Sequence, residues 1–186
     1  DGKEHKYLFH GLTIQVGGTS GSTETTPGSK VDSTNMIIYN LVPQDKKYTA
    51  VADNMTGNNT MSAEAGEEIT IDWTVKNDQG TAGLQMAFDF SGVEFIEDDA
   101  EEGDAYKGSP EFNTANANTT GEVDYAYANS VESKASDDAV IYTFVVKAPA
   151  SGSATIGLKS GANNKVVPKE DGKEHKYLFH GLTIQI

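Results

Sequence analysis

The sequence predicts an all-β protein, an antiparallel sandwich of two sheets packed over one core. Three observations carry this expectation. Apolar and polar residues alternate at period 2 in one segment after another. Clusters of Gly, Asn, Asp and Ser punctuate those segments as turn residues do. No apolar stripe of helical spacing runs longer than a turn or two.

Residues 36–41 and 48–55 open the body as two candidate strands. Ile69, Ile71, Trp73 and Val75 then alternate with Thr70, Asp72, Thr74 and Lys76, which describes a half-buried strand and puts Trp73 in the core. The run 76–80 (KNDQG) breaks it. Leu84, Met86, Phe88 and Phe90 alternate with Gln85, Ala87 and Asp89, Ser91-Gly92 turns the chain, and 93–96 makes a short strand. Residues 97–110 (EDDAEEGDAYKGSP) are acidic and turn-rich and read as a loop with room for a short helical turn. Val123, Tyr125 and Tyr127 alternate with Asp124, Ala126 and Ala128. Residues 139–146 form a more continuous apolar run with β-branched and aromatic members, suited to a central strand. Ala154, Ile156 and Leu158 alternate again, and residues 177–186 close the body.

The 186 residues suit one domain with some chain left over, long enough to bury a core without disulfides. The chain has no Cys. The net charge is −14, the pI about 4.5 and the mean hydropathy −0.48. All 14 basic residues are Lys. Such a balance argues against nucleic acid, whose phosphates need clustered Lys and Arg. No apolar run reaches the roughly 18 residues of a membrane span. The four His (His5, His10, His175, His180) all lie in one duplicated segment. Thiol nucleophiles, His-based acid–base pairs, Arg clamps and the usual zinc sets are thereby removed from the rest of the chain.

That duplication is close to exact in sequence. Residues 1–16 (DGKEHKYLFHGLTIQV) and 171–186 (DGKEHKYLFHGLTIQI) match at fifteen of sixteen positions. Each copy is neutral, so the whole −14 sits in 17–170. Residues 17–30 (GGTSGSTETTPGSK) lack apolar periodicity and have the composition of a flexible linker. The organisation expected is a tandem array: 1–16 the terminal strand of a preceding module, 17–30 the linker, 31–186 a complete module. The start at Asp1 without Met agrees with a piece of something longer. The apolar strand in residues 7–16 is expected to add to a sheet edge, of its own module or a neighbour, and so to support self-association. Within each copy the two His are five apart, so in a strand their rings lie on opposite faces, at surface or edge positions.

The stretch GEEITIDWTVKNDQGTAGLQMAFDFSGVEFIED resembles the first half of a cohesin module, with Ala65-Gly66 before one strand and Ala82-Gly83 before the next. Residues 112–115, 122–129, 139–147 and 153–158 resemble its later strands. The likeness spans roughly 48–186 and rests on strand order and spacing. It implies a non-catalytic β-sandwich of about nine strands with jelly-roll topology, part of a secreted or cell-surface scaffoldin of the rumen-bacterial type. It also implies a partner: a dockerin module, itself calcium-loaded, carried by a polysaccharide-degrading enzyme or another scaffoldin in a cellulosome. The longer start at 31–47 and the long Lys-rich segment 159–176 depart from the family pattern.

The resemblance places dockerin across the strands at 83–90, 112–117, 122–129 and 153–159. Alternation then names the outward side chains: Gly83, Gln85, Ala87 and Asp89; Asn113, Ala115 and Ala117; Asp124, Ala126, Ala128 and Asn129; Thr155, Gly157 and Lys159. Many are small. Together they make a flat apolar patch with polar edges at Gln85, Asp89, Asn113 and Asn129. The acidic charge suits a partner rich in Lys or Arg. No catalytic residue, cofactor or metal site is expected: adjacent acids such as Asp98-Asp99 and Glu101-Glu102 fit a solvated turn, and 97–104 lacks spaced calcium ligands. The alternative is a carbohydrate-binding sandwich, which would need exposed Trp or Tyr to stack on sugar rings.

Overall fold

The computed structural model describes residues 28–106, 110–168 and 174–186. The first repeat and residues 17–27 of the linker reading lie outside the described residues. Among the described residues the strands are β1 (Ile37–Pro43), β2 (Tyr48–Thr49), β3 (Asn59–Ser62), β4 (Glu68–Lys76), β5 (Thr81–Asp89), β6 (Glu94–Glu102), β7 (Glu111–Asn116), β8 (Glu122–Ser133), β9 (Ala139–Lys147), β10 (Ser153–Leu158), β11 (Lys165–Val167), β12 (Tyr177–His180) and β13 (Leu182–Gln185). One four-residue helix, α1 (Ala117–Thr120), lies between β7 and β8. Among the described residues no helix is long and apolar enough to cross a membrane.

The strands form the expected sandwich. One sheet has the order β12-β1-β4-β9-β6; the other runs β2-β3-β13-β10-β5-β8-β7, with β11 also on β5. Most ladders are antiparallel, but β1–β12 and β3–β13 pair in parallel, so both sheets are mixed. Period-2 alternation predicts the inward side correctly. Ile69, Ile71, Trp73 and Val75 of β4 are buried, as are Leu84, Met86 and Phe88 of β5 and Val123, Tyr125 and Tyr127 of β8. Rings from both sheets meet in the middle: Trp73 lies edge-on to Phe88 at 4.9 Å and to Tyr125 at 5.0 Å, and Phe144 of β9 meets Phe88 at 5.5 Å. Edge-to-face packing of this kind adds about 0.5–1.5 kcal/mol per pair beyond area burial.

Four local expectations are corrected. Residues 97–102 are the end of β6 rather than a loop, and the short helix is at 117–120. The open flank of β9 recruits this segment in spite of its charge. A bulge between Ile96 and Glu101 takes up the misfit, and acids suit an edge strand because they discourage further pairing. Only Tyr48 and Thr49 of the run 48–55 are strand. Met55 instead bridges to Lys30, and the Thr56 amide donates to the Ser29 carbonyl, so residues 29 and 30 already pack on the body. Finally, His180 stands on an edge strand, as expected, but its side chain is fully buried instead of at the surface. Its Nε2 donates to the Met55 carbonyl at 2.9 Å, and its Nδ1 lies 2.8 Å from the Asn40 side-chain amide.

The closing segment is also two strands instead of one. β12 lies on the edge of the five-stranded sheet and β13 lies inside the other, between β3 and β10. The chain changes sheets at Gly181. A Cβ there would sit 2.3 Å from the Ile156 carbonyl oxygen and 2.8 Å from Asn58 Oδ1. The corner therefore requires glycine for close backbone approach. Gly181→Ala is expected to destabilise the fold by about 1–3 kcal/mol, the usual cost of overpacking, measured by denaturant unfolding; a wild-type midpoint would contradict the corner.

A polar cluster closes one end of the core. The buried carboxylate of Asp78 accepts from the Gly80 amide, the Thr81 hydroxyl and the Ala135 amide at 2.7–3.0 Å. Burial, then the Asp78 charge, pushes the Tyr106 phenol far above its usual range; burial and Tyr106 do the same to Tyr39. An unfolded Tyr ionises near pH 10. Between that pH and the raised folded value the unfolded chain binds fewer protons, so stability falls as pH rises. The expected result is a denaturation midpoint that declines above about pH 10, with a shallower decline in Tyr106→Phe.

Candidate functional site

The outward face of the eight-stranded sheet is built by the same alternation that fills the core. With Leu84, Met86 and Phe88 turned in, Gly83, Gln85, Ala87 and Asp89 turn out. Ladder register sets them opposite Ala128, Ala126, Asp124 and Glu122 of β8. On the far side of β8, Glu111 of β7 pairs with Ala126, Asn113 with Asp124 and Asn116 with Glu122. On the other flank of β5, Gly157 pairs with Asp89, Lys165 with Gln85 and Val167 with Gly83. The structure thus brings Gly83, Gln85, Asp89, Asn113, Asp124, Ala126, Ala128 and Gly157 onto one continuous surface.

The centre of that surface is open. Gln85, Ala126 and Ala128 are exposed, and a Cβ on Gly157 would meet nothing within 4 Å. Gly83, Gln85, Ala126 and Ala128 floor a shallow depression of about 420 Å³, bounded by Glu111 on one side and by Lys165 and Val167 on the other. Small side chains here let another backbone approach the sheet closely. Asp89, Glu111, Glu122 and Asp124 set against Lys159 and Lys165 leave this face acidic.

Other expected positions fall differently. Asn129 is half-buried at the end of the β8 row. Ala115 is exposed, but it follows a break in the β7–β8 register, where the Asn113 side chain accepts from its amide at 3.1 Å. Thr155 is exposed on β10 and meets Thr183 of β13 at 3.0 Å, away from the depression. Ala117 does not face outward: it is 4% exposed and packs into the core from α1. Ala87 points outward but is only 9% exposed. A six-residue excursion, 159–164, interrupts the strand formed by β10 and β11 beside it. The Ala87 amide donates to Asn164 Oδ1 at 2.7 Å, and the Lys159 amide donates to the Ala87 carbonyl at 2.8 Å. The Lys159 ammonium reaches Glu122 on β8, so its side chain crosses over β5 beside Ala87.

Sequence reasoning missed Glu111, Glu122, Lys165 and Val167. A three-residue strand carries too little periodicity to be seen, and the only available signal was the Lys-rich length of 159–176. Tyr125 and Tyr127 face the core, as the outward direction expected of Asp124, Ala126 and Ala128 requires. Among the described residues the one exposed large aromatic is Tyr48, at 37%, too little for a sugar-stacking platform.

The Lys159–Glu122 pair is partly solvated, its side chains 40% and 29% exposed. A double-mutant cycle with Lys159→Ala and Glu122→Ala is expected to give a coupling of about 0.2–1 kcal/mol. A coupling above about 1 kcal/mol would contradict the partly solvated character of the pair.

Solved cohesins share this architecture. The seventh ScaB type I cohesin from Pseudobacteroides cellulosolvens aligns with a TM-score of 0.56 at 12% identity, over 81% of this chain and 91% of that one. The type I cohesin–dockerin complex Coh-OlpA-Doc918 from Clostridium thermocellum gives 0.55 at 18% identity, over 82% and 99%. The third ScaB cohesin of R. flavefaciens, in complex with a group 1 dockerin, gives 0.52 at 16% identity, over 81% and 95%. No protein-family model matches the chain, and no curated protein matches it by sequence. Two mixed sheets in this strand order, packed over one aromatic core, give the chain the cohesin fold.

Proposed function

We propose that this chain is a non-catalytic docking module whose partner is a dockerin, a calcium-loaded helical module borne by a polysaccharide-degrading enzyme or by another scaffoldin. The observation that carries this reading is the open depression floored by Gly83, Ala126 and Ala128 on a wide sheet face. A helix can settle closely over Gly83, Ala126 and Ala128 because none of the three carries a long side chain. Gln85 on the floor and Asp89, Asn113 and Asp124 beside it supply polar groups that set register, which is the anatomy of a modest interface. Neighbouring cohesins are seen in complex with dockerins, which favours the same partner. Calcium belongs to the partner in this reading. The chain would act outside the cell or at its surface. Residues 31–186 would be the module, 17–30 the linker, and 1–16 the terminal strand of the module before it.

The test is calorimetric titration of the chain with a panel of dockerins, with and without calcium. Ala126→Glu and Ala128→Glu place a long charged side chain on an exposed floor, so the melting temperature is expected to hold while affinity for the cognate dockerin falls at least about 100-fold. Raising the ionic strength is expected to weaken binding, because the acidic face steers a basic partner. Unchanged affinity in a folded Ala126→Glu variant would overturn the assignment of the face.

A further inference from the structure

We propose that the groove filled by β12 and β13 is a strand-acceptor site, and that residues 7–15 of the same chain fit it as an alternative to residues 177–185. The groove is demanding. Its occupant must pair in parallel with β1, from Ile37 opposite Tyr177 to Asn40 opposite His180. It must then change sheets and fit between β3 and β10. It must bury Leu182 and Ile184 completely and seat an imidazole between Asn40 and the Met55 carbonyl. It must also carry glycine at the corner, where a Cβ would strike the Ile156 carbonyl.

Residues 1–15 meet every one of these demands, because they are identical to 171–185. Leu8, His10, Gly11, Leu12 and Ile14 stand where Leu178, His180, Gly181, Leu182 and Ile184 stand. The one difference, Val16 for Ile186, falls at a position that is 42% exposed. Reach is sufficient as well. The groove ends where Gln185 pairs with Ser62, and Ser29 is bonded to the Thr56 amide. Six residues from Thr56 to Ser62 span at most about 22 Å, and the two lateral pairings add about 5 Å each. The chain from Val16 to Gly28 can extend to about 40 Å. The two closures make the same contacts and differ only in the connecting loops, whose length alters the closing entropy logarithmically.

The experiment disables each copy within the full chain. Leu182→Asp with Ile184→Asp is expected to leave a monomer with cooperative melting and a native near-ultraviolet signal from Trp73, its melting temperature lowered by no more than about 10 °C. Leu12→Asp with Ile14→Asp is expected to melt like the parent. The four substitutions together are expected to abolish the cooperative transition. Three results would overturn the proposal: loss of folding in the Leu182/Ile184 variant, folding of that variant only as a dimer or larger species, or cooperative folding of the fourfold variant.

Discussion

The orientation of the candidate binding face depends on the aromatic layer between the two sheets. Trp73 enters from β4 and meets Phe88 and Tyr125 from the opposite sheet, while Phe144 from β9 meets Phe88 and Phe90. These rings are among the largest fully buried side chains of the protein, and burying them opposes chain entropy. They also settle a geometric question. A strand has only two faces, so once Phe88 and Tyr125 are committed inward, every second residue on β5 and β8 is committed outward. The candidate binding face is the reverse side of the core packing.

That coupling explains why the face tolerates small residues. Ala126, Ala128 and Gly83 contribute little to the core, so their size is free to serve the surface. Their neighbours hold the backbone in place: β5 is flanked by β8 on one side and by β10 and β11 on the other. The platform is therefore an interior part of its sheet, where strand position is set from both flanks. Further acids lie on the edge strand β6, where they discourage edge-to-edge pairing.

The excursion at 159–164 shows how a local insertion reshapes such a platform. It replaces the pairing opposite Met86 and Ala87 with a loop and sends Lys159 across β5 to Glu122. Ala87, one of the alanines offered by the alternation, is nearly buried beside it. The insertion also returns the chain to the sheet as β11, which raises a wall of Lys165 and Val167 beside the depression. Shape and charge at this border come from a segment whose sequence looks like a polar loop.

The residues alone determined the β class, the inward and outward sides of β4, β5 and β8, the buried place of Trp73, and the small-residue character of one face. All of these follow from period-2 alternation, which is a local property of the chain. Only the tertiary structure decided the parallel placement of β12 against β1, the change of sheet at Gly181 and the burial of His180. It alone also decided the pairing of acidic β6 with β9 and the burial of Ala87. Each of these depends on which distant backbone edge is vacant and which atoms stand within a few ångströms, and no periodicity along the chain encodes that.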